Sequence, residues 1–101
     1  MSDRIKLDES EIIDRARSSG VKKDFVLLPH AVQRSKERDI STTDIAYVLK
    51  NGQRVKSRDR FDSHLKSWSY CFEGFTTEDF TLRVIICVHD RLLIVTVVLI
   101  N

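Results

Sequence analysis

The sequence predicts an α+β fold, in which N-terminal helices pack on one face of an antiparallel sheet of three or four strands. Helical periodicity and helix end signals occupy the first half of the chain, whereas runs of β-branched and aromatic residues fill the second half. Helices followed by strands are typical of the α+β class. With 101 residues and 42% hydrophobic content, we expect one domain over residues 1–101 with a single modest core.

Three helices are predicted before the strands begin. Gly20 is expected to end the first helix, because glycine commonly follows the last helical residue. Ser41 and Asp44 have the spacing of a capping box at the start of the third helix. Between the first two helices, residues 21–28 form a linker or a short extended segment. The predicted helices are residues 7–19, 30–38 and 41–50.

The last third of the chain predicts a β-hairpin closed by a two-residue turn at Asp90 and Arg91. In that register Arg83 faces Val98, Ile85 faces Thr96, Cys87 faces Ile94 and His89 faces Leu92. One face of the hairpin is then wholly apolar and is assigned to the core, while the other face carries Arg83 and Thr96. The predicted strands are residues 67–73, 80–89 and 92–100, with residues 54–66 as a short edge strand or a mobile loop.

Arg83 is the most informative residue of the hairpin. A charged side chain in a central strand is costly unless it is paired or lies at a wet cleft. Two interpretations follow. Arg83 either faces a groove that binds an anion, or it pairs with a carboxylate such as Glu73 or Asp79 at the margin of the sheet.

Two further groups of residues suit a nucleic-acid partner. His30, Arg34 and Arg38 recur every fourth residue on one helical face, where a histidine is able to carry protons near neutral pH. An ordinary solvated helix face explains the same pattern. The second group is basic: residues 30–66 carry a net charge of +4 and include cations at every second position. These cations are Lys56, Arg58 and Arg60. They either bind a phosphate backbone or form a charged edge strand that resists aggregation.

An aromatic strand supplies a third group. If Tyr70 lies opposite Arg83, then Trp68, Tyr70 and Phe72 share the open face with that arginine and form a stacking surface for unpaired bases. A register shifted by one residue sends the same three rings into the core.

Composition and motifs argue against a membrane protein, a disulfide-stabilised protein and a protein that needs a metal or cofactor. No apolar run is long enough to span a bilayer and the N-terminus is polar, so we expect a cytoplasmic protein without membrane contact. Cys71 and Cys87 lie in apolar strands, which favours reduced core thiols. No metal, dinucleotide or phosphate-loop motif is present, so no metal or cofactor is expected.

The ordered set of these pieces resembles a bacterial family labelled as a domain of unknown function, whose members often accompany zinc-finger antitoxins of the YgiT type. That family is similar to the RelE/ParE/BrnT/MqsR group of small α+β toxins, many of which cut mRNA. The resemblance covers residues 30–98, within a toxin-like core at residues 29–101, and leaves residues 1–28 as an extension. The residues that carry it are His30, Ala31, Arg34, Glu37, Arg38, Ile40, Ser41, Asp44, Ile45, Val48, Leu49, Asn51, Gly52, Trp68, Tyr70, Gly74, Leu82, Arg83, Val84, Ile94, Val95, Thr96 and Val97.

The resemblance implies a metal-independent endoribonuclease that acts on RNA and is neutralised by an antitoxin protein. In that chemistry the ribose 2′-hydroxyl attacks the adjacent phosphate. The catalytic candidates are Arg83, His30, Tyr70 and Thr96, and the RNA-binding candidates are Arg34, Arg38, Lys56, Arg58, Arg60 and Trp68. The alternatives are a non-catalytic RNA- or protein-binding module on the same scaffold, or an interaction protein that uses its N-terminal helix.

Overall fold

The computed structural model describes residues 5–100, which form three helices and an open six-stranded mixed sheet. The α+β class is therefore confirmed. None of the helices within these residues is long and apolar enough to cross a membrane. The helices are α1 (Glu9–Lys22), α2 (Pro29–Arg38) and α3 (Thr42–Asn51). The strands are β1 (Phe25–Leu27), β2 (Gln53–Arg54), β3 (Arg60–Asp62), β4 (Ser67–Phe75), β5 (Thr81–Val88) and β6 (Leu92–Leu99).

The sheet differs from the prediction in strand number and direction. Its order is β1-β6-β5-β4-β2, with β3 pairing along β4 on the same side as β2. Strand β1 runs parallel to β6, and all other pairs are antiparallel. The prediction of three or four purely antiparallel strands is therefore wrong. Strands β1 and β3 lie in residues 21–28 and 54–66, for which the sequence allowed a short extended segment and a short edge strand among the alternatives. Strand β2 was not predicted. All three have only two or three residues, which is too short for a period of two to appear in the sequence.

All three helices cover the same face of the sheet. Ile12 and Ala16 of α1 pack with α3, and Ala31 anchors α2 over β6. Because the strands alternate sides, every second residue of β4, β5 and β6 meets these helices. The buried core residues are Ile12, Ala16, Ala31, Ile45, Val48, Leu49, Tyr70, Phe72, Leu82, Val84, Ile86, Leu92, Ile94 and Val97.

The helix ends confirm one predicted signal and contradict another. The capping box is present, since Asp44 N–H donates to Ser41 Oγ at 3.1 Å and Ser41 N–H donates to Asp44 Oδ2 at 3.0 Å. Gly20, however, does not end α1, which continues to Lys22 before a left-handed Lys23. Gly20 is needed where α1 crosses α3, because a Cβ there would lie 2.8 Å from the Ala46 carbonyl oxygen.

The predicted hairpin register holds for half of its length. Arg83 faces Val98 and Ile85 faces Thr96, as expected. The pairing then shifts by one residue between Ile85 and Ile86, leaving Val95 unpaired in a bulge. The predicted pairs of Cys87 with Ile94 and His89 with Leu92 are therefore wrong: Cys87 faces Leu93 and Val88 faces Leu92. The hairpin loop has three residues, His89 to Arg91.

The register of β4 decides where the aromatic rings lie. Glu73, and not Tyr70, faces Arg83, while Tyr70 faces Ile86. Tyr70 and Phe72 are consequently buried on the helix-covered face, at 2% and 0% exposure. The arrangement in which these rings share a face with Arg83 is wrong, and the alternative that places them in the core holds.

Candidate functional site

The face of the sheet opposite the helices carries an open groove of about 570 Å³. Ile85, Val95 and Val98 give it an apolar floor, and Thr96 contributes a hydroxyl. The bulge in β6 brings Val95 into this floor. Its other lining residues come from the 3₁₀ turn Lys56–Arg58, from β3 and from neighbouring strands: Ser57, Arg58, Asp59, Arg60, Asp62, Ser69 and Arg83.

Arg83 lies in the groove wall beside a carboxylate that is shared with a second arginine. Arg83 Nε donates to Glu73 Oε2 at 2.6 Å, and Arg58 Nε lies 3.7 Å from the same oxygen. The Arg83 side chain is 19% exposed and that of Glu73 is 27% exposed, so water reaches both. The two terminal amino groups of Arg83 make no hydrogen bond within residues 5–100. The pairing of Arg83 with Glu73 is thus confirmed, and Arg83 also lines a groove, while the binding of an anion there stays a prediction.

The two acidic residues of the groove have other partners within residues 5–100, so neither is paired with the arginines that line the groove. Asp62 Oδ1 accepts hydrogen bonds from the backbone N–H groups of His64 and Leu65. Asp59 is bound to Arg54. Arg60, by contrast, makes no ion pair or side-chain hydrogen bond with any described residue. The groove therefore presents guanidinium groups and hydroxyls above an apolar floor.

A buried charge cluster fixes the wall of the groove. Asp59, whose side chain is 2% exposed, accepts two hydrogen bonds from Arg54, at 2.7 and 2.5 Å. Lys6 Nζ lies 2.9 Å from Asp59 Oδ2, and Glu9 Oε2 lies 3.1 Å from Arg54 Nε. The start of the chain is thereby attached to the segment that precedes β3.

The same cluster sets the protonation of its members. Burial by itself would raise the pKa of Asp59, but hydrogen bonds and charges from Arg54 and Lys6 outweigh it and hold that pKa below 3.8. For Arg54, burial opposes the charged form, yet Asp59 and Glu9 together raise its pKa. Both groups therefore stay ionised across the physiological range.

Tyr70 and Trp68 lie on the helix-covered side, away from the groove. The Tyr70 hydroxyl accepts a hydrogen bond from Leu7 N–H at 3.0 Å. Burial is the main cause that raises the pKa of Tyr70 above 10.0. Trp68 packs edge-on against Phe61, and Lys6 Nζ lies 4.8 Å from its ring centroid. Neither ring is placed to contact a ligand in the groove.

The helical stripe also lies on the side away from the groove. His30 and Arg38 are exposed on α2 and Arg34 is half-buried there, while α2 itself packs on β6 and β1. Arg38 lines a separate cavity of about 150 Å³ together with Asp39 and Asp44. The structure therefore separates this stripe from Arg83 by the thickness of the sheet.

Of the predicted residues, the structure brings together four at the groove: Arg83, Thr96, Arg58 and Arg60. Lys56 is exposed in the adjoining 3₁₀ turn. From the sequence, Glu73 is predicted only as a possible partner of Arg83. The register of β4 places the Glu73 carboxylate next to Arg83, where it also meets Arg58. No group of three or more His, Cys, Asp or Glu side chains within residues 5–100 could hold a metal ion.

Both cysteines are buried beneath the groove side of the sheet. Burial raises the pKa of Cys71 to about 11 and that of Cys87 to about 12. A thiol with such a pKa is almost entirely protonated at neutral pH and is a poor nucleophile. We therefore assign neither cysteine a chemical role.

Comparison with known protein families identifies a match over most of the chain. The family described as "Domain of unknown function (DUF4258)" matches residues 27–98, which is more than two thirds of the chain. No curated protein and no solved structure matches significantly. The matched segment contains α2, α3 and the whole groove. The chain therefore belongs to the DUF4258 family.

Proposed function

We propose that this protein binds single-stranded RNA in the groove and cleaves it without a metal ion, as its resemblance to RelE-like toxins implies. One observation carries the proposal: the carboxylate of Glu73 pairs with Arg83 and Arg58, and both of these arginines line the open groove. A carboxylate beside two guanidiniums combines a proton acceptor with groups that bind a phosphate.

The cleavage step uses these groups in distinct roles. Glu73 takes the proton of the ribose 2′-hydroxyl, whose oxygen then attacks the adjacent phosphorus. The new O2′–P bond forms as the P–O5′ bond breaks, and the leaving 5′ oxygen takes a proton from water. The products are a 2′,3′-cyclic phosphate and a 5′-hydroxyl.

The arginines stabilise the charge that develops on the phosphorane. Arg83 has two amino groups left to contact phosphate oxygens while its Nε remains on Glu73. Removal of one such preorganised donor typically costs about 10²–10³ in rate, and loss of a general base costs about 10²–10⁴. Thr96, two pairs along the hairpin from Arg83 and on the same face, supplies a further hydroxyl to the phosphate.

This assignment changes the set of residues predicted from the sequence. Arg83 and Thr96 keep their proposed roles, and Glu73 replaces His30 and Tyr70 as the proton acceptor. Arg58 and Arg60 remain RNA-binding candidates because they line the groove. We assign no RNA contact to Arg34, Arg38 or Trp68, which lie on the other side of the sheet.

The test compares Glu73→Gln with Glu78→Gln on a 5′-labelled single-stranded RNA in buffer containing EDTA. Glu73→Gln retains the shape of the side chain and should lower the cleavage rate at least about 100-fold with unchanged RNA affinity. Glu78 is exposed in the loop between β4 and β5, so its replacement should leave the rate unchanged. Cleavage that survives Glu73→Gln would rule out this carboxylate as the base.

A growth assay tests the toxin role separately. Induced expression in a bacterium should arrest growth, and Arg83→Ala should relieve the arrest while the variant stays folded by circular dichroism. The antitoxin predicted for such a pair should protect the cells and bind the protein directly. Arrest that persists with Arg83→Ala contradicts the assignment of Arg83.

A second function, RNA binding without cleavage, is favoured by one observation. No histidine, lysine or tyrosine lines the groove within the described residues, so no side chain there is suited to protonate the leaving oxygen. A binding module predicts RNA affinity that falls steeply with added salt, because arginine–phosphate contacts release counterions. It also predicts no cyclic phosphate product, even with protein in large excess over RNA.

A further inference from the structure

The row of side chains that contains Arg83 continues beyond the groove. Gln53 faces Glu73 across β2 and β4, and Glu73 faces Arg83 across β4 and β5, so these three lie side by side on the open face. The next row on that face pairs Phe75 with Thr81. Two residues along a strand separate the rows by about 7 Å.

Phe75 is unusual for an aromatic residue because it is 66% exposed. It borders another cavity, of about 300 Å³, which Asn51, Gln53, Glu73 and Thr81 also line. Glu73 lines this cavity while its partner Arg83 lines the groove, so their ion pair lies between the two spaces.

The cavity also offers polar groups that are not used within the described residues. The Gln53 side-chain amide makes no hydrogen bond with residues 5–100, and it provides both a donor and an acceptor. Asn51 Nδ2 donates to the Tyr47 carbonyl oxygen at 3.2 Å, which leaves the Asn51 side-chain oxygen as a further acceptor. An exposed ring beside a free amide suits a flat ligand with hydrogen-bonding edges.

We propose that this cavity is a nucleobase subsite, in which the base of the nucleotide held at Arg83 stacks on Phe75 and its edge contacts Gln53. The inference rests on the proposed function, because the phosphate site at Arg83 fixes the neighbouring base. A single ring next to an ion pair matches a base attached to a charged backbone better than it matches the apolar face of a protein helix.

The position of Phe75 depends on two glycines. A Cβ on Gly52 would lie 2.5 Å from the Val48 carbonyl oxygen, and a Cβ on Gly74 would lie 2.9 Å from Gly52 Cα. These glycines let β2 and β4 approach each other closely at the end of α3. Gln53 and Phe75, which follow them directly, are thereby held at the mouth of the cavity.

The test measures binding of 2′-O-methyl oligonucleotides, which cannot be cut by the proposed step, by fluorescence anisotropy. Five-nucleotide strands of each base are compared with an abasic strand that has the same phosphates. Phe75→Ala should weaken binding of the base-containing strands by about 5- to 100-fold and leave the abasic strand unchanged. Phe75→Trp should retain affinity, and Gln53→Ala should reduce the differences among the four bases.

Phe80→Ala is the matched control. Phe80 is 47% exposed but lines the cavity next to Arg38, on the other side of the sheet, so its replacement should leave all affinities unchanged. Full RNA affinity in Phe75→Ala, or an equal loss for the abasic strand, overturns the subsite while leaving the groove intact. Absence of RNA binding by the unmodified protein overturns the proposed function and this subsite together.

Discussion

Replacement of Asp59 by alanine should strongly destabilise the fold. Asp59 and Arg54 have side chains only 2% and 7% exposed, and two hydrogen bonds join them. Removal of the carboxylate leaves the Arg54 guanidinium buried above the rings of Tyr70 and Phe72. Its remaining partners among residues 5–100 are then the partly exposed Glu9 and the Cys71 carbonyl oxygen. An uncompensated buried charge of this kind costs about 3–5 kcal/mol.

That cost is a large part of the total stability of a chain of this size, which is about 5–15 kcal/mol. The thermal midpoint should fall by more than about 12 °C, since each kcal/mol corresponds to about 4–8 °C in a small domain. Urea unfolding followed by circular dichroism and by the fluorescence of Trp68, the sole tryptophan, measures the change directly.

Two comparisons separate this explanation from a general effect of removing an acid. Asp62→Ala removes a carboxylate of the same groove that accepts hydrogen bonds from two backbone N–H groups, and should cost about 1 kcal/mol. The double replacement of Arg54→Met and Asp59→Leu should recover most of the lost stability, because no buried charge remains. A loss below about 1 kcal/mol in Asp59→Ala would refute the argument.

Further predictions concern protonation, packing and capping. Because folding lowers the pKa of Asp59, the contribution of this carboxylate to stability is complete above about pH 4 and is lost as the pH falls through the pKa of Asp59 in the folded protein. Asp59→Asn should remove this loss of stability in acid, as measured by urea unfolding at several pH values. Gly52→Ala should cost about 1–3 kcal/mol in urea unfolding, since its Cβ would meet two backbone oxygens. Cys71 and Cys87 should react with a thiol reagent at pH 8 only after denaturation, and rapid reaction of the native protein would contradict their burial. Ser41→Ala should cost about 1 kcal/mol through loss of the α3 cap, whereas Ser57→Ala should not.

The parts of the fold that were predictable are those set by local chemistry. The α3 cap depends on Ser41 and Asp44, which lie three residues apart, so it is visible in the sequence. The pairing of Arg83 with Val98 also follows, because alternation along two long strands limits the choices. Gly20 misled the prediction because a glycine that ends a helix and one that permits helix crossing look identical until the neighbouring helix is known.

The candidate site was less predictable because it depends on register between strands. A bulge at Val95 and a three-residue loop alter the hairpin together, and neither has a specific sequence signal. A three-residue difference in the pairing of β4 exchanges Tyr70 for Glu73 as the neighbour of Arg83, and because three is an odd number it also moves the aromatic rings to the other face. Phe75 lies two residues beyond the strand predicted at residues 67–73, although β4 extends through it, so the sequence does not indicate the exposed ring beside the ion pair.

Helix α1 lies outside the segment that matches the family, yet it closes the core. Ile12 and Ala16 are fully buried, and Arg17 donates to the carbonyl oxygens of Leu49 and Gly52 where α3 ends. A protein truncated at residue 27 would expose the outer side of α3 to water. The core of the matched segment is therefore completed by a helix that lies outside it, so loss of α1 should weaken the fold on which the groove is built.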